Sequence, residues 1–466
     1  MKNNVFKRVA TIVLKFLIIA AETGVFAYFW FTFYRKLIFL PFWNRGNWAL
    51  VALYGLIVLL FSKLFGGFRI GYLKSQDILY SMSLASICTN LVSYLQMSLI
   101  NRDFMPYEPI VYMIFIDIIL VFFWTFTCSY IYKRLYPPQK MLVIYGGRDP
   151  GDFIEKLNKR RDKYDVSEMI DIAAGEEAVY KKIGSYKSVI LWDLTDEIRN
   201  TLVKHCMERS IGCYITPKIS DIIVLGSEKI HLFDTPLLYC RNMGPQEGQA
   251  IMKRFMDISL SLIGLVVTFP VMAVSALLIK LYDRGPVFYK QNRLTLNGRE
   301  FQIYKFRSMK VDSEKDGARL ASKNDDRITP VGRILRNLHF DELPQLINIL
   351  KGDMSLVGPR PERKEIMKKY CQDIPEFSYR LKMKAGLTGY AQVYGKYNTT
   401  PYDKLKLDLF YIENYSLFLD LKIILLTCRI FFLKEVSEGV DTHQKDARKN
   451  NPKEKENAKL VSKWKE

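Results

Sequence analysis

The chain has 466 residues, with 68 Lys and Arg against 48 Asp and Glu, a formal net charge of +20. At ~150 residues per domain this length corresponds to about three domains. Hydrophobic residues make up 49% and aromatic residues 14%, which excludes a disordered chain and a disulfide scaffold; the basic balance leaves nucleic acid, a membrane surface or anionic substrates open.

Four apolar runs occupy about 9–34, 47–66, 78–100 and 109–132. Each is long enough to cross a bilayer core, which takes ~20 helical residues. Basic residues set the expected orientation. Lys2, Lys7 and Arg8 precede the first run, Lys63, Arg69 and Lys74 separate the second from the third, and Lys133, Arg134 and Lys140 follow the fourth. This bias places the N-terminus, and the chain after the fourth span, on the cytoplasmic side. Trp30, Trp43 and Trp48 suit interfacial positions, and Asp117, inside the fourth span, is read as a polar contact between helices or an interfacial residue in preference to a functional group. The apolar run after the basic start is too long for a secretory leader, and no small-residue cleavage site follows it.

After Pro137-Pro138 the pattern becomes α/β. Strands are expected at Met141–Tyr145, Val166–Ala173, Ser188–Leu194 and Cys213–Thr216, with helices over 151–162, 176–183 and 196–210 between them. Strands alternating with helices imply a parallel sheet, and 139–245 is taken as one Rossmann-like domain. Gly146-Gly147 invites a nucleotide, but the spacing of a dinucleotide fingerprint is missing and Asp149-Pro150 stands where the helix should open to phosphate.

Phe255–Ile279 is apolar enough to span, yet Pro270 lies in its middle and both flanks are basic, with Lys253 and Arg254 before and Lys280, Arg284 and Lys290 after. A kinked, re-entrant helix over 255–280 is expected, with an ordinary fifth span as the alternative. The seven cysteines form no CxxC pair and there are four histidines, so a zinc site is not expected; the scattered, odd cysteine count suits a reducing compartment.

Beyond 285 the chain is dense in chemically loaded strings. Asp341-Glu342 places two carboxylates that can bind Mg²⁺ through oxygen, or act as a nucleophile. Arg307, Arg336 and Arg360 have the fork geometry that clamps phosphate, and Gly358-Pro359 put Arg360 on a turn. Carboxylates, a hard cation and arginines are the parts of phosphoryl transfer, although a lone Asp-Glu pair is more often a solvated helix face and a single Arg a surface ion pair.

The strings KRFMDI, GPVFYKQNR, YKFRSM, DELPQL, KGDMSLVGPRPE, GLTGYAQV and LDLFYIENYSLFLDLKI, over about 251–435, resemble the bacterial sugar transferases, the polyprenyl-phosphate phosphoglycosyl transferases with one re-entrant membrane helix. The whole chain resembles the long form: an α-helical membrane bundle of four spans (1–135), a Rossmann-like α/β cytoplasmic domain (139–245) and a mainly α, membrane-associated catalytic domain (250–435). The resemblance implies that Asp341 attacks the sugar-bearing phosphorus of a UDP-sugar and expels UMP, and that undecaprenyl phosphate then takes the sugar-phosphate from Asp341. It implies Mg²⁺ on Glu342, phosphate handling by Arg336 and Arg360, substrate contacts from Lys305, Arg307, Pro359, Glu362 and Gln392, and a structural role for Pro270. UDP-glucose and UDP-galactose are the favoured donors, and a homodimer is an option. The implied location is the bacterial inner membrane with the catalytic domain on the cytoplasmic face. Thr295 and Tyr394 stand where many members carry Gly and Asn, the first bearing on a turn and the second on sugar specificity. His339, two residues before the nucleophile, is not assigned as a base.

Residues 411–433 are apolar and aromatic but interrupted by Asp420, Lys422 and Arg429, so an amphipathic helix on the membrane surface or in the core is expected. The charged tail 436–466 is expected to be disordered. The competing function is a non-catalytic membrane scaffold of polysaccharide assembly. Nucleic-acid binding is weakest, since no matching motif exists and the basic residues flank apolar segments.

Overall fold

The computed structural model describes residues 2–39, 43–241, 244–310, 327–395 and 399–430, so the charged tail expected over 436–466 lies outside the described residues. The chain divides into two compact units, with the boundary between Thr216 and Pro217.

The first unit opens with four long helices, α1 (Lys2–Thr32), α2 (Asn44–Leu64), α3 (Ser75–Asn101) and α4 (Glu108–Leu135). Their outward faces are apolar and exposed, as at Phe16, Leu56, Leu95 and Phe123. Their packed faces carry a polar seam that closes on itself. Asn90 Nδ2 donates to Asp117 Oδ2 at 2.7 Å, and the Tyr54 hydroxyl lies 3.1 Å from Asn90 Oδ1 and 3.3 Å from that same Asp117 oxygen. Asp117 is therefore a contact between helices. Trp30 is fully buried, its indole N–H donating to Asn47 Oδ1 at 2.9 Å where the end of α1 meets the start of α2. Trp43 and Trp48 are exposed.

The rest of this unit is a four-stranded parallel sheet, β1 (Gln139–Tyr145), β2 (Tyr164–Asp171), β3 (Ser188–Trp192) and β4 (Gly212–Ile215), in the order β2-β1-β3-β4. Helices α5 (Gly151–Asn158), α6 (Glu176–Ile183) and α7 (Asp196–Glu208) connect the strands. Leu142 and Ile144 of β1 and Val189 and Leu191 of β3 join Val179, Ile198 and Leu202 in one core. Such runs buried on both faces are what a central parallel strand requires.

The second unit begins with α8 (Ile219–Leu225) and a hairpin of β5 (Glu228–Leu232) and β6 (Thr235–Tyr239). Ile219 and Ile222 of α8 share a core with Leu405 and Leu409, so residues 217–241, expected to belong to the sheet domain, fold with the second unit instead. Helix α9 (Glu247–Asp283) is 37 residues long, about 55 Å at 1.5 Å per residue, and contains Pro270. After it come the antiparallel pair β7 (Phe288–Leu294) and β8 (Glu300–Phe306), α10 (Pro330–Asn337), a 3₁₀ turn at Phe340–Glu342, α11 (Gln345–Lys351), β9 (Ser355–Val357) and α12 (Lys364–Asp373). A 3₁₀ helix over Pro375–Lys382 leads to β10 (Gly386–Thr388), parallel to β9, and then α13 (Tyr390–Tyr394), α14 (Pro401–Glu413) and α15 (Leu417–Ile430). Tyr411, Tyr415 and Ile423 are core residues, which places the described part of the 411–433 segment in the domain interior.

Five helices among the described residues, α1 to α4 and α9, are long and apolar enough to cross a membrane. On α9 one face is apolar and exposed, as at Leu262, Val266, Phe269, Leu277 and Leu281. The other face packs along the second unit at both ends. Leu260 and Leu265 meet the main core, while Met272, Ala276 and Ile279 meet Phe306, Leu335 and Phe340.

Candidate active site

Three segments converge on Asp341. α10 ends at Asn337, and His339 then takes a left-handed backbone conformation, φ 55°. That costs a non-glycine residue of order 1 kcal/mol or more, and it turns the chain into the short 3₁₀ segment that carries Asp341 and Glu342. β8 supplies Lys305. Asn348 of α11 accepts from Tyr304 N (2.9 Å) and donates to Gln302 O (2.7 Å), acting as an extra strand edge that fixes β8 beside the turn. β9 leads through Gly358-Pro359 to Arg360. A Cβ at Gly358 would stand 2.2 Å from Lys384 O, so only glycine fits where the chain passes β10.

Glu342 Oε1 accepts from Lys305 Nζ at 2.6 Å and from Arg360 Nη2 at 3.0 Å. Burial would raise its pKa, but these two cations win and hold it well below the usual carboxylate range. Asp341 is buried and has the opposite balance. Burial pushes its carboxyl above 3.8, Glu342 adds to the rise, and Lys305, Arg336 and His339 oppose it. Two adjacent carboxyls thus have their properties driven apart: Glu342 a firmly ionised anchor for cations, Asp341 a more basic and therefore more nucleophilic oxygen. Arg336 approaches from α10, its Nε donating to Ser308 Oγ at 2.9 Å.

The other expected site residues lie elsewhere. Arg307 is buried, with its guanidinium ion-paired to Asp283 at the end of α9, so it ties β8 to that helix instead of joining the carboxylate pair. Glu362 faces inward and accepts from Lys404 (2.5 Å) and Arg380 (3.3 Å), which bring its pKa down to about 2 against the effect of burial. Gln392 donates to Leu387 O at 3.2 Å, and Pro359 is a buried turn residue whose carbonyl accepts from Gly386 N at 3.0 Å. Pro270 sits in the exposed stretch of α9. Thr295 is buried, bridging Asp353 O (2.9 Å) and Ala385 N (3.2 Å), and Tyr394 packs against Tyr390 with the two rings tilted.

A second set of residues holds the site from behind. Lys253, taken in the sequence as part of a basic flank, is buried and donates to Val357 O (2.9 Å) and Asp420 Oδ2 (2.5 Å), while the Tyr411 hydroxyl reaches Asp420 Oδ1 at 2.6 Å. Asp257 accepts from Leu356 N (2.9 Å) and Ser355 Oγ (3.1 Å). Arg254 donates to Ile349 O (2.6 Å) and Leu350 O (2.8 Å), capping the end of α11 with a cation. The strings KRFMDI, KGDMSLVGPRPE and LDLFYIENYSLFLDLKI thus meet around β9. The signal for this was charged residues within apolar helices, which are retained where they find partners.

As for Mg²⁺, the donors on offer are two adjacent carboxylates, hard oxygen ligands of the kind Mg²⁺ takes together with substrate phosphates. Both hydrogen bonds to Glu342 go to Oε1, so the pair fits such an ion once a diphosphate brings the remaining oxygens.

Comparison with known proteins agrees with this domain. Residues 248–434 match the family model described as bacterial sugar transferase. A UDP-N-acetylgalactosamine-undecaprenyl-phosphate N-acetylgalactosaminephosphotransferase of Aeromonas hydrophila is 41% identical over 241 residues, 51% of this chain and 56% of that protein's length. A UDP-glucose:undecaprenyl-phosphate glucose-1-phosphate transferase of Caulobacter vibrioides is 40% identical over 227 residues, 46% of this chain and 84% of the relative. An uncharacterized sugar transferase of Bacillus subtilis is 40% identical over 190 residues, 41% of this chain and 90% of the relative.

Proposed function

The chain belongs to the bacterial sugar transferase family, and we propose on that premise that it moves a sugar-1-phosphate from a UDP-sugar to undecaprenyl phosphate at the membrane. The observation that carries the reading is the Asp341–Glu342 pair, with its carboxyls driven apart and Lys305, Arg336 and Arg360 around it.

In the first step an Asp341 carboxylate oxygen attacks the sugar-bearing phosphorus. An Asp–phosphorus bond forms, the bond to UMP breaks, and UMP leaves with the bridging oxygen. In the second step a phosphate oxygen of undecaprenyl phosphate attacks the same phosphorus and the aspartyl–phosphorus bond breaks. Asp341 returns as a carboxylate, and undecaprenyl-diphosphate-sugar leaves. Glu342 and the incoming diphosphate would hold Mg²⁺, which supplies charge neutralisation on the phosphate oxygens. Arg360 and Lys305, held on Glu342 without substrate, exchange part of that pairing for phosphate oxygens, and Arg336 approaches Asp341 from α10. Splitting the transfer in two predicts ping-pong kinetics.

Four membrane spans in α1–α4, a Rossmann-like sheet domain and a catalytic domain on the cytoplasmic face of the inner membrane complete the reading. A re-entrant α9 is supported by its packing: both ends lie on the same folded unit, and a straight crossing would draw that unit's charged surface through the bilayer. Labelling of single cysteines on either side of Pro270 tests this; access to both from the cytoplasmic side is expected, and access to residue 280 from the opposite side overturns it.

The named relatives divide between N-acetylgalactosamine and glucose, so the decisive experiment spans donors. Purified full-length protein with Mg²⁺ and undecaprenyl phosphate is offered UDP-glucose, UDP-galactose and UDP-N-acetylgalactosamine, and UMP is measured. Release from one donor, lost in Asp341→Asn, is expected. Full activity of Asp341→Asn would sink the mechanism, and no UMP from any donor would favour a scaffold.

A further inference from the structure

We infer that Arg380 is a positioning residue for Arg360, an inference whose kinetic side rests on the proposed transfer reaction. The turn Pro359-Arg360-Pro361-Glu362 contains two prolines, which have no N–H, so it is poorly equipped to hold itself. Its four carbonyls are held from outside instead. Pro359 O accepts from Gly386 N (3.0 Å), Arg360 O from Arg380 Nη2 (3.0 Å), Pro361 O from Arg293 Nη1 (3.2 Å) and Glu362 O from Leu294 N (3.0 Å).

Arg380 does most on the inner side. It is 1% exposed, stands over the Phe377 ring at 5.0 Å, and its Nη1 reaches Glu362 Oε1 at 3.3 Å while Nη2 also meets Asp408 Oδ2 at 2.7 Å. One rigid fork therefore grips the backbone of Arg360 and the side chain of Glu362, on either side of Pro361. The Arg360 side chain leaves this anchored backbone in the other direction, toward Glu342. Arg380 and Lys404 supply cations to Glu362 and Asp408. Lysine at 380 keeps the charge and loses the fork.

The test uses the full chain in lipid nanodiscs, with Arg380→Lys, Asp408→Asn, Arg360→Lys and the Arg380→Lys/Arg360→Lys double variant. Arg380→Lys is expected to raise hydrogen exchange in the peptide over 355–363 and to slow UMP release by about tenfold to a hundredfold, the scale of a misplaced group. In the Arg360→Lys background the same change should cost less than about twofold, because the group it positions is already altered. Asp408→Asn, which leaves the grip on Arg360 O, should lower the unfolding midpoint and keep the rate within about twofold. Unchanged exchange over 355–363 in Arg380→Lys overturns the positioning role. So does a loss that multiplies fully in the Arg360→Lys background, or an equal rate loss in Asp408→Asn. Raised exchange in Arg380→Lys alongside a wild type that releases no UMP supports the positioning and overturns the transfer reaction.

Discussion

Two turns in this chain follow a buried strand of a parallel pair, contain glycine and lead to an arginine, yet they end in opposite electrostatic states. After β1, Gly146-Gly147-Arg148 would suit a phosphate by shape. The Asp193 carboxylate fills that place: its Oδ2 accepts from Arg148 N (3.0 Å) and Arg148 Nε (3.1 Å), and a Cβ on Gly147 would stand 2.6 Å from the same oxygen. One anion and one cation neutralise each other there, and an incoming phosphate would meet a negative charge. After β9, Gly358-Pro359-Arg360 points its arginine at a carboxylate pair that Lys305 and Arg336 also face. Three cations face two carboxylates, and one carboxyl, Asp341, is more basic for its burial. A glycine turn after a strand is therefore only a shape; the charge gathered opposite it decides whether phosphate chemistry belongs there.

The comparison breaks most visibly at the two arginines. Arg360→Ala should slow UMP release by about a hundredfold or more, the scale of losing one preorganised donor to developing charge, while Arg148→Ala should leave the rate within about twofold. Comparable losses in both would return the first turn to candidacy. Next in size is the buried support of β9. Lys253→Met leaves Asp420 as an uncompensated buried charge, which costs about 3–5 kcal/mol, so the unfolding midpoint should fall markedly. A midpoint equal to the wild type would show that the pair does not hold the site.

A smaller, sharper effect concerns pH. In the proposed transfer Asp341 attacks as a carboxylate, so the rate should be present above its pKa and lost as pH falls through it. Burial has already raised that pKa above 3.8, and Lys305 opposes the rise. Lys305→Met should therefore move the acid limb of the rate profile to higher pH; a limb that stays put or moves down would contradict the assignment. The smallest effect belongs to the first turn: Asp193→Asn should lower the stability of the sheet domain by about 1 kcal/mol and leave UMP release unchanged.

The four long N-terminal helices, the parallel sheet and the Asp341-Glu342 and Arg360 strings were legible in the sequence, because periodicity and local composition mark each of them within a few residues, whereas the elements between 285 and 410 were not. Features that depend on partners far along the chain were not. Lys253 and Arg254 read as a basic flank, yet their partners lie at 357, 420, 349 and 350. The burial of Trp30 was not legible because its partner, Asn47, is on another helix. Arg307 and Glu362 read as substrate contacts because nothing local marks Asp283 or Arg380 and Lys404 as their partners. Similarly, α8 looked like a continuation of the sheet domain, since its packing on Leu405 and Leu409 spans almost two hundred residues.

The central claim is that Asp341 becomes covalently loaded. Purified protein should be mixed with Mg²⁺ and the UDP-sugar that supports turnover, without undecaprenyl phosphate, and both UMP and intact mass followed. The account predicts a burst of about one UMP per protein and a mass increase of one sugar-phosphate, mapped to the peptide containing Asp341 and absent in Asp341→Asn. UMP release that waits for undecaprenyl phosphate, with no mass increase on the protein, would contradict it.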